Sequence, residues 1–167
     1  MEKNRAKKMY DYHVWANKKV FEHLKQLPDR IYNETVNSVF SSISDVMIHL
    51  YATDITWLET MKGSSYHDTV REVQRRKLEA SGASLDELEA FYHSLSEEYY
   101  RFFVEQQDPE RIIITEHPQY GRSEFVLADL IHHVVNHGTY HRGNVTAMLH
   151  QQGERGVPTD YVYFLFK

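Results

Sequence analysis

Apolar residues recur along this chain at steps of three and four, the spacing that gathers them on one face of an α-helix. Four segments show it. The first covers about residues 3–27 with the stripe Met9, His13, Ala16, Val20, Leu24 and Leu27. Pro28 closes it, because proline has no amide to donate and restricts the residue before it. The second starts near Ser42, where Ser42-Ile-Ser-Asp45 has capping-box spacing, and continues through Val46, Leu50, Thr53, Trp57 and Met61 to a stop at Gly63. The third opens on a second capping box, Ser84-Leu-Asp-Glu87, and carries Leu88, Phe91, Leu95, Tyr99 and Phe102 towards Asp108-Pro109. The fourth is read from Ser123 as N-cap to about Gln152, before Gly153, along Leu127, Leu130, Val134, His137, His141, Val145 and Met148.

Four such helices predict an all-α fold, a four-helix bundle filling residues 1–167 as a single domain. The polar stretch from Lys62 to Gly82 reads as one long crossover connection with room for a helical turn. Residues Arg111 to Thr115 are β-branched, but one extended run makes no sheet. The aromatic tail, Tyr161 to Phe166, is expected to pack back over one end of the bundle.

Composition narrows the chemistry. Apolar residues are 41% and charged residues 26% of the 167, the balance of a globular chain. With no cysteine, disulfides, thiolate metal sites and a cysteine nucleophile are excluded, so a metal needs nitrogen or oxygen ligands and thiol chemistry needs an external thiol. The net charge is −5, and the one dense basic run, Arg71 to Lys77, is diluted by Glu72 and Glu79. It reads as a solvated face, and no nucleic-acid partner is expected. No apolar run has the length of a membrane span, and Met1 to Arg5 lead into an amphipathic pattern rather than a signal peptide, so a cytoplasmic location without membrane contact is expected.

Histidine is the unusual residue: eleven are present, five of them between 132 and 150. His137 and His141 occupy core-facing positions of the fourth stripe. Residues four apart on a helix differ by only ~40°, so both rings point the same way and can meet one metal ion. Hydrogen-bonded core histidines would show the same spacing, and spacing alone leaves both readings open. His49, beside the stripe of the second helix, is the candidate third ligand, and its periodicity does not settle its role.

Three stretches bear on the choice: Tyr12-His-Val-Trp-Ala-Asn17, His49-Leu-Tyr-Ala-Thr-Asp-Ile-Thr-Trp57 and Asn136-His-Gly-Thr-Tyr-His-Arg-Gly-Asn144. Together with Gly153 and Asp160-Tyr-Val-Tyr-Phe-Leu165, they resemble the DinB-like family, four-helix bundles that include the YfiT-like proteins. The resemblance covers essentially the whole chain. It implies a metal triad of His49, His137 and His141, and a homodimer. Three neutral imidazoles leave at least one coordination position open. The implied cofactor is one divalent ion per chain, zinc or nickel, with an external low-molecular-weight thiol as a further cofactor. The implied activity is a metal-dependent hydrolase or thiol-dependent S-transferase acting on an unidentified small molecule. The alternative is a non-catalytic, metal-binding stress-response protein.

No catalytic acid or base is identifiable. His133, one turn before His137 but ~80° round from His141, reads as pocket-lining or as an alternative ligand. His13 reads as structural or as facing the same cavity. Asp54 is a carboxylate that could support a ligating histidine, although surface exposure is the ordinary fate of Asp54 and Glu59. Asn136 and Arg142 flank the ligands, and Arg142 could cap a carboxylate or meet an anionic substrate. His23, His67, His93, His117 and His150 read as surface or structural. Of Tyr12, Tyr51, Tyr99, Tyr100 and Tyr140, one could line the cavity, but bundle packing explains them more simply.

Overall fold

The first stripe forms α1 (Lys3–Leu24) in the computed structural model, which describes residues 3–166. The helix ends before Leu27, because the amides of Gln26 and Leu27 bond back to His23 and Leu24, tightening the turn ahead of Pro28. A short α2 (Arg30–Asn33) then buries Ile31 and Tyr32. In α3 (Ile43–Lys62) the Ser42 hydroxyl accepts from the Asp45 amide at 3.1 Å, and Gly63 ends the helix at φ 87°.

The expected long connection is instead largely a helix, α4 (Tyr66–Ala80). Its first turn is capped by Ser65, which accepts from the Asp68 amide. Its charged residues pair at helical spacing, Arg75 with Glu72 and Glu79, and Arg76 with Glu72. Thr69 and Ala80 are buried, so few apolar residues dock it and the apolar stripe is faint. The basic run is the solvated face of this helix, as its dilution by glutamate suggested. In α5 (Leu85–Glu105) the capping box is complete: Ser84 Oγ accepts from the Glu87 amide and Glu87 accepts from the Ser84 amide.

Two further expectations are corrected together. Residues Ile112–His117 (β1) do find a partner, Gly121–Val126 (β2), in an antiparallel hairpin. Ser123 pairs with Thr115 inside it and caps nothing. The last long helix, α6 (Leu127–Gln151), starts without a side-chain cap. Its first amides are satisfied by the loop before the hairpin, Leu127 donating to the Arg111 carbonyl and Ala128 to that of Pro109, each at 2.9 Å. Gly153, at φ 82°, follows its end.

α6 lies against both α1 and α3, and α5 touches both from the other side, so the four long helices form a ring α1–α6–α3–α5. Leu50, Ile55, Leu58, Leu88, Leu95 and Met148 fill its centre. α4 lies along the outside of α3. The aromatic tail forms α7 (Tyr161–Leu165) and packs on the flank of α1, with Tyr161 and Phe164 against Tyr12 and Trp15, rather than over an end. Among the described residues, no helix is long and apolar enough to cross a membrane.

Candidate metal centre

Trp57 of α3 lies beside His133 of α6, and two turns earlier in α3 His49 lies beside His141, so the two helices run antiparallel. Their facing stripes bring three histidines to one point. His49 Nε2 is 3.3 Å from His137 Nε2 and 3.2 Å from His141 Nε2. Nitrogens held about 2.0–2.1 Å from one ion at tetrahedral angles stand ~3.3–3.4 Å apart, so these nitrogens fit one divalent ion with little movement.

Electrostatics agree with the geometry. Burial lowers the His49 pKa, assisted by His141 and by the positive charge of Lys77 on α4. Burial, then the neighbouring histidines, lowers that of His137 to about 4. Burial lowers that of His141 too, against a hydrogen bond to Asn144. All three rings are therefore neutral at pH 7, with lone pairs to offer. His141 Nδ1 donates to Asn144 Oδ1 at 2.9 Å, which fixes the tautomer with a free Nε2. His137 Nδ1 is buried and has no hydrogen-bond partner among the described residues, so the polar bonding of this ring depends on what meets its Nε2. A neutral His49 ring could satisfy only one of the two facing nitrogens with a proton, whereas one cation satisfies all three.

The surroundings are aromatic. Phe40, in the loop before α3, packs 5.1 Å from the His49 ring and 5.4 Å from that of His141. His133 is held between Trp57, at 4.6 Å, and His137, at 6.0 Å, and lies beside the triad rather than in it. Tyr140 is exposed and lies 5.0 Å from the His141 ring, the one tyrosine of the five considered that stands against a triad ring. Half-burial of His49 and His137 leaves the cluster reachable from outside. Phe40, Lys77 and Asn144 were not singled out from sequence: Phe40 sits in an irregular loop, Lys77 on the helix read as a connection, and Asn144 within a quoted motif but without a role.

Behind α6 lies a second, wholly buried polar cluster. His13, Asn17, Asp54 and Arg142 are 1%, 4%, 2% and 3% exposed. Arg142 Nη1 donates to Asn17 Oδ1 at 2.9 Å and faces His13 Nδ1 at 3.5 Å, while Nη2 donates to Thr139 Oγ1. A carboxylate can only accept, so His13 Nε2–H donates to Asp54 Oδ2 at 2.9 Å and Nδ1 is left to face Arg142, while Asn17 Nδ2 stands 3.0 Å from the same Nε2. The expectation of an exposed Asp54, or of one supporting a ligating histidine, is thus corrected, since its carboxylate serves His13. His13 packs behind Gly138 rather than within the triad, and Arg142 is buried with its guanidinium bonded to Asn17 and Thr139. Glu59 stays near the surface, bonded to Lys62 and Ser64. Asn136 is exposed, His23 bonds the Arg155 carbonyl, and His67 and His117 meet Tyr66 edge-on. Tyr12 and Tyr99 bond backbone carbonyls, Tyr100 bonds Asp11, and Tyr51 packs on Phe91 and Tyr92.

Comparison with known proteins identifies relatives along the whole chain. The sequence profile of the DinB family matches residues 1–167. The chain is 40% identical over 161 residues to a relative named Protein DinB from Bacillus subtilis (strain 168), covering 96% of this chain and 94% of that one.

Proposed function

This chain belongs to the DinB family, and from that premise we propose that it is a metal-dependent enzyme whose centre is the triad His49, His137 and His141. The observation that carries the reading is the convergence of three neutral Nε2 atoms within 3.2–3.3 Å of His49 as the common neighbour. An ion with nitrogen ligands suits zinc or nickel. When bound there, it would supply Lewis acidity to a water molecule or to a small external thiol. The reactions that follow are hydrolysis or S-transfer to a small molecule. The lack of cysteine is compatible with the second without requiring it.

The protein residues divide the remaining tasks. Asn144 holds His141 in the tautomer that leaves Nε2 free. Phe40 shields the rings of His49 and His141 on one side, which keeps their nitrogens aimed at a common point. Lys77 brings positive charge towards His49, suited to a substrate with an anionic group. The same proposal includes a homodimer, supported by the apolar face that α7 exposes through Val162, Tyr163 and Leu165.

Elemental analysis tests metal binding first. About one zinc or nickel per chain is expected in the untagged protein, with loss of most of it in His137→Ala while the helical signal persists. Wild-type protein that takes up neither ion from zinc or nickel solutions would overturn the reading. Metal that binds without hydrolysis or thiol transfer across a broad substrate screen would leave the non-catalytic alternative standing.

A further inference from the structure

On the edge of the helix ring opposite the triad, α1 and α5 enclose a cavity of about 490 Å³, within the ~300–1,000 Å³ of small-ligand sites. None of the triad residues lines it. Its walls are the rings of Tyr10, Phe21, Tyr92 and Tyr100, and His13, Asn17 and Asp54 line it from the buried polar cluster. Asp86, Glu89 and Glu97 line it too, against a single lysine, Lys18. Lys25 bridges Asp86 and Glu89 but does not cancel the acidic balance.

We propose that this cavity binds a small organic amine, its apolar body between the aromatic walls and its ammonium group directed to Asp54. Asp54 decides the ligand class. One carboxylate oxygen accepts from His13, while the other, Oδ1, is buried without a partner among the described residues. A carboxylate can only accept, so its complement must donate a hydrogen bond, and the acidic lining favours a donor that is positively charged. Aromatic faces add attraction for a cation while accommodating an apolar body.

The same geometry argues for binding rather than catalysis. His13 faces Arg142 through Nδ1 and both Asp54 and Asn17 through Nε2, so neither nitrogen is free to take a proton from a ligand or from the hydroxyl of Ser96, which itself donates to the His93 carbonyl. Gly138 against the His13 ring keeps it in that position. The proposal does not rest on the metal centre.

Calorimetry with 2-phenylethylamine and hexylamine tests it, with 2-phenylethanol and phenylacetate as uncharged and anionic comparators. Measurements use both zinc-treated and chelator-treated wild-type protein, since amines can also ligate metals. Ala90 lines the cavity from an exposed position, so Ala90→Trp fills the space without disturbing the core. The expected result is saturable binding of both amines, one per chain, equal with and without zinc. The alcohol and the carboxylate should bind at least about tenfold more weakly. Ala90→Trp and Asp54→Asn should each weaken amine binding by at least about tenfold, the former with unchanged zinc content. The proposal is overturned by absence of saturable amine binding up to about 10 mM, by an alcohol that binds as tightly, by binding that Ala90→Trp leaves intact, or by binding that disappears with the metal.

Discussion

A methyl group at position 138 would stand 2.4 Å from Cε1 and 2.5 Å from Nδ1 of His13, and 2.8 Å from Nη1 of Arg142. Neither side chain can retreat without breaking the bonds from His13 to Asp54 or from Arg142 to Asn17. Gly138→Ala is therefore expected to destabilise the protein by ~1–3 kcal/mol in urea unfolding. It should weaken zinc binding as well, since His137 adjoins this position; unchanged values of both would show that α1 simply moves away. The neutral triad gives a second expectation. Because burial lowers the pKa of all three rings, zinc binding near pH 7 should release almost no protons. Calorimetry in two buffers of different ionisation enthalpy should then give the same apparent heat, whereas release near one proton would show a ring charged before binding. Sequence revealed the triad for reasons specific to its residues. Two histidines replace aliphatics four positions apart, and the motif around His49 matches a family. It did not reveal the roles of Asp54 and Arg142, because polar residues on helices usually face water, and only the packing of three helices buries these two.

Among the elements, α4 shows how charge can hide a helix. Its ordering comes from the Ser65 cap and from ion pairs rather than from an apolar stripe, and Ser65-Tyr-His-Asp68 was the signal available. Arg76 ties it to the bundle by donating to both oxygens of Glu98 on α5, at 2.8 and 2.9 Å. Burial pushes the Glu98 carboxyl up, but the bonds and charge of Arg76 outweigh this and leave it below its usual value. Arg76→Ala should cost about 1–2 kcal/mol, since the pair is bidentate and half-buried. Hydrogen exchange should show faster exchange confined to residues 66–80; acceleration spread through α3 and α5 would mean that α4 is integral to the core. The hairpin was hidden for a different reason. β2 is Gly121-Arg-Ser-Glu-Phe-Val126, largely exposed and polar, so it resembles a loop until its register with β1 is known. Once Ser123 is committed to that register, the loop carbonyls of Pro109 and Arg111 take over the capping of α6.

At the scale of the whole molecule, the triad joins α3 to α6 and so couples bundle stability to pH and, with the proposed ion bound, to metal. A histidine with a lowered folded-state pKa contributes stability fully above its unfolded value, ~6.5. The contribution declines as pH falls, because the unfolded chain takes up the proton first. For His137 the decline runs down to about 4, where the folded ring protonates too. His49 and His141 act in the same direction. Metal-free protein should therefore lose thermal stability between about pH 6.5 and pH 4, more steeply than His137→Ala, in which one such group is gone. On the proposed reading of the triad, zinc should stabilise the folded chain by binding it in preference to the unfolded one. Protons compete for the same Nε2 atoms, so the rise in Tm on adding zinc should be large at pH 7 and shrink towards pH 4. Thermal scans of both proteins, with chelator and with zinc, separate the causes. Equal slopes without metal would remove the buried triad as the origin of the acid sensitivity, and a zinc-dependent rise that persists in His137→Ala would place the bound ion elsewhere.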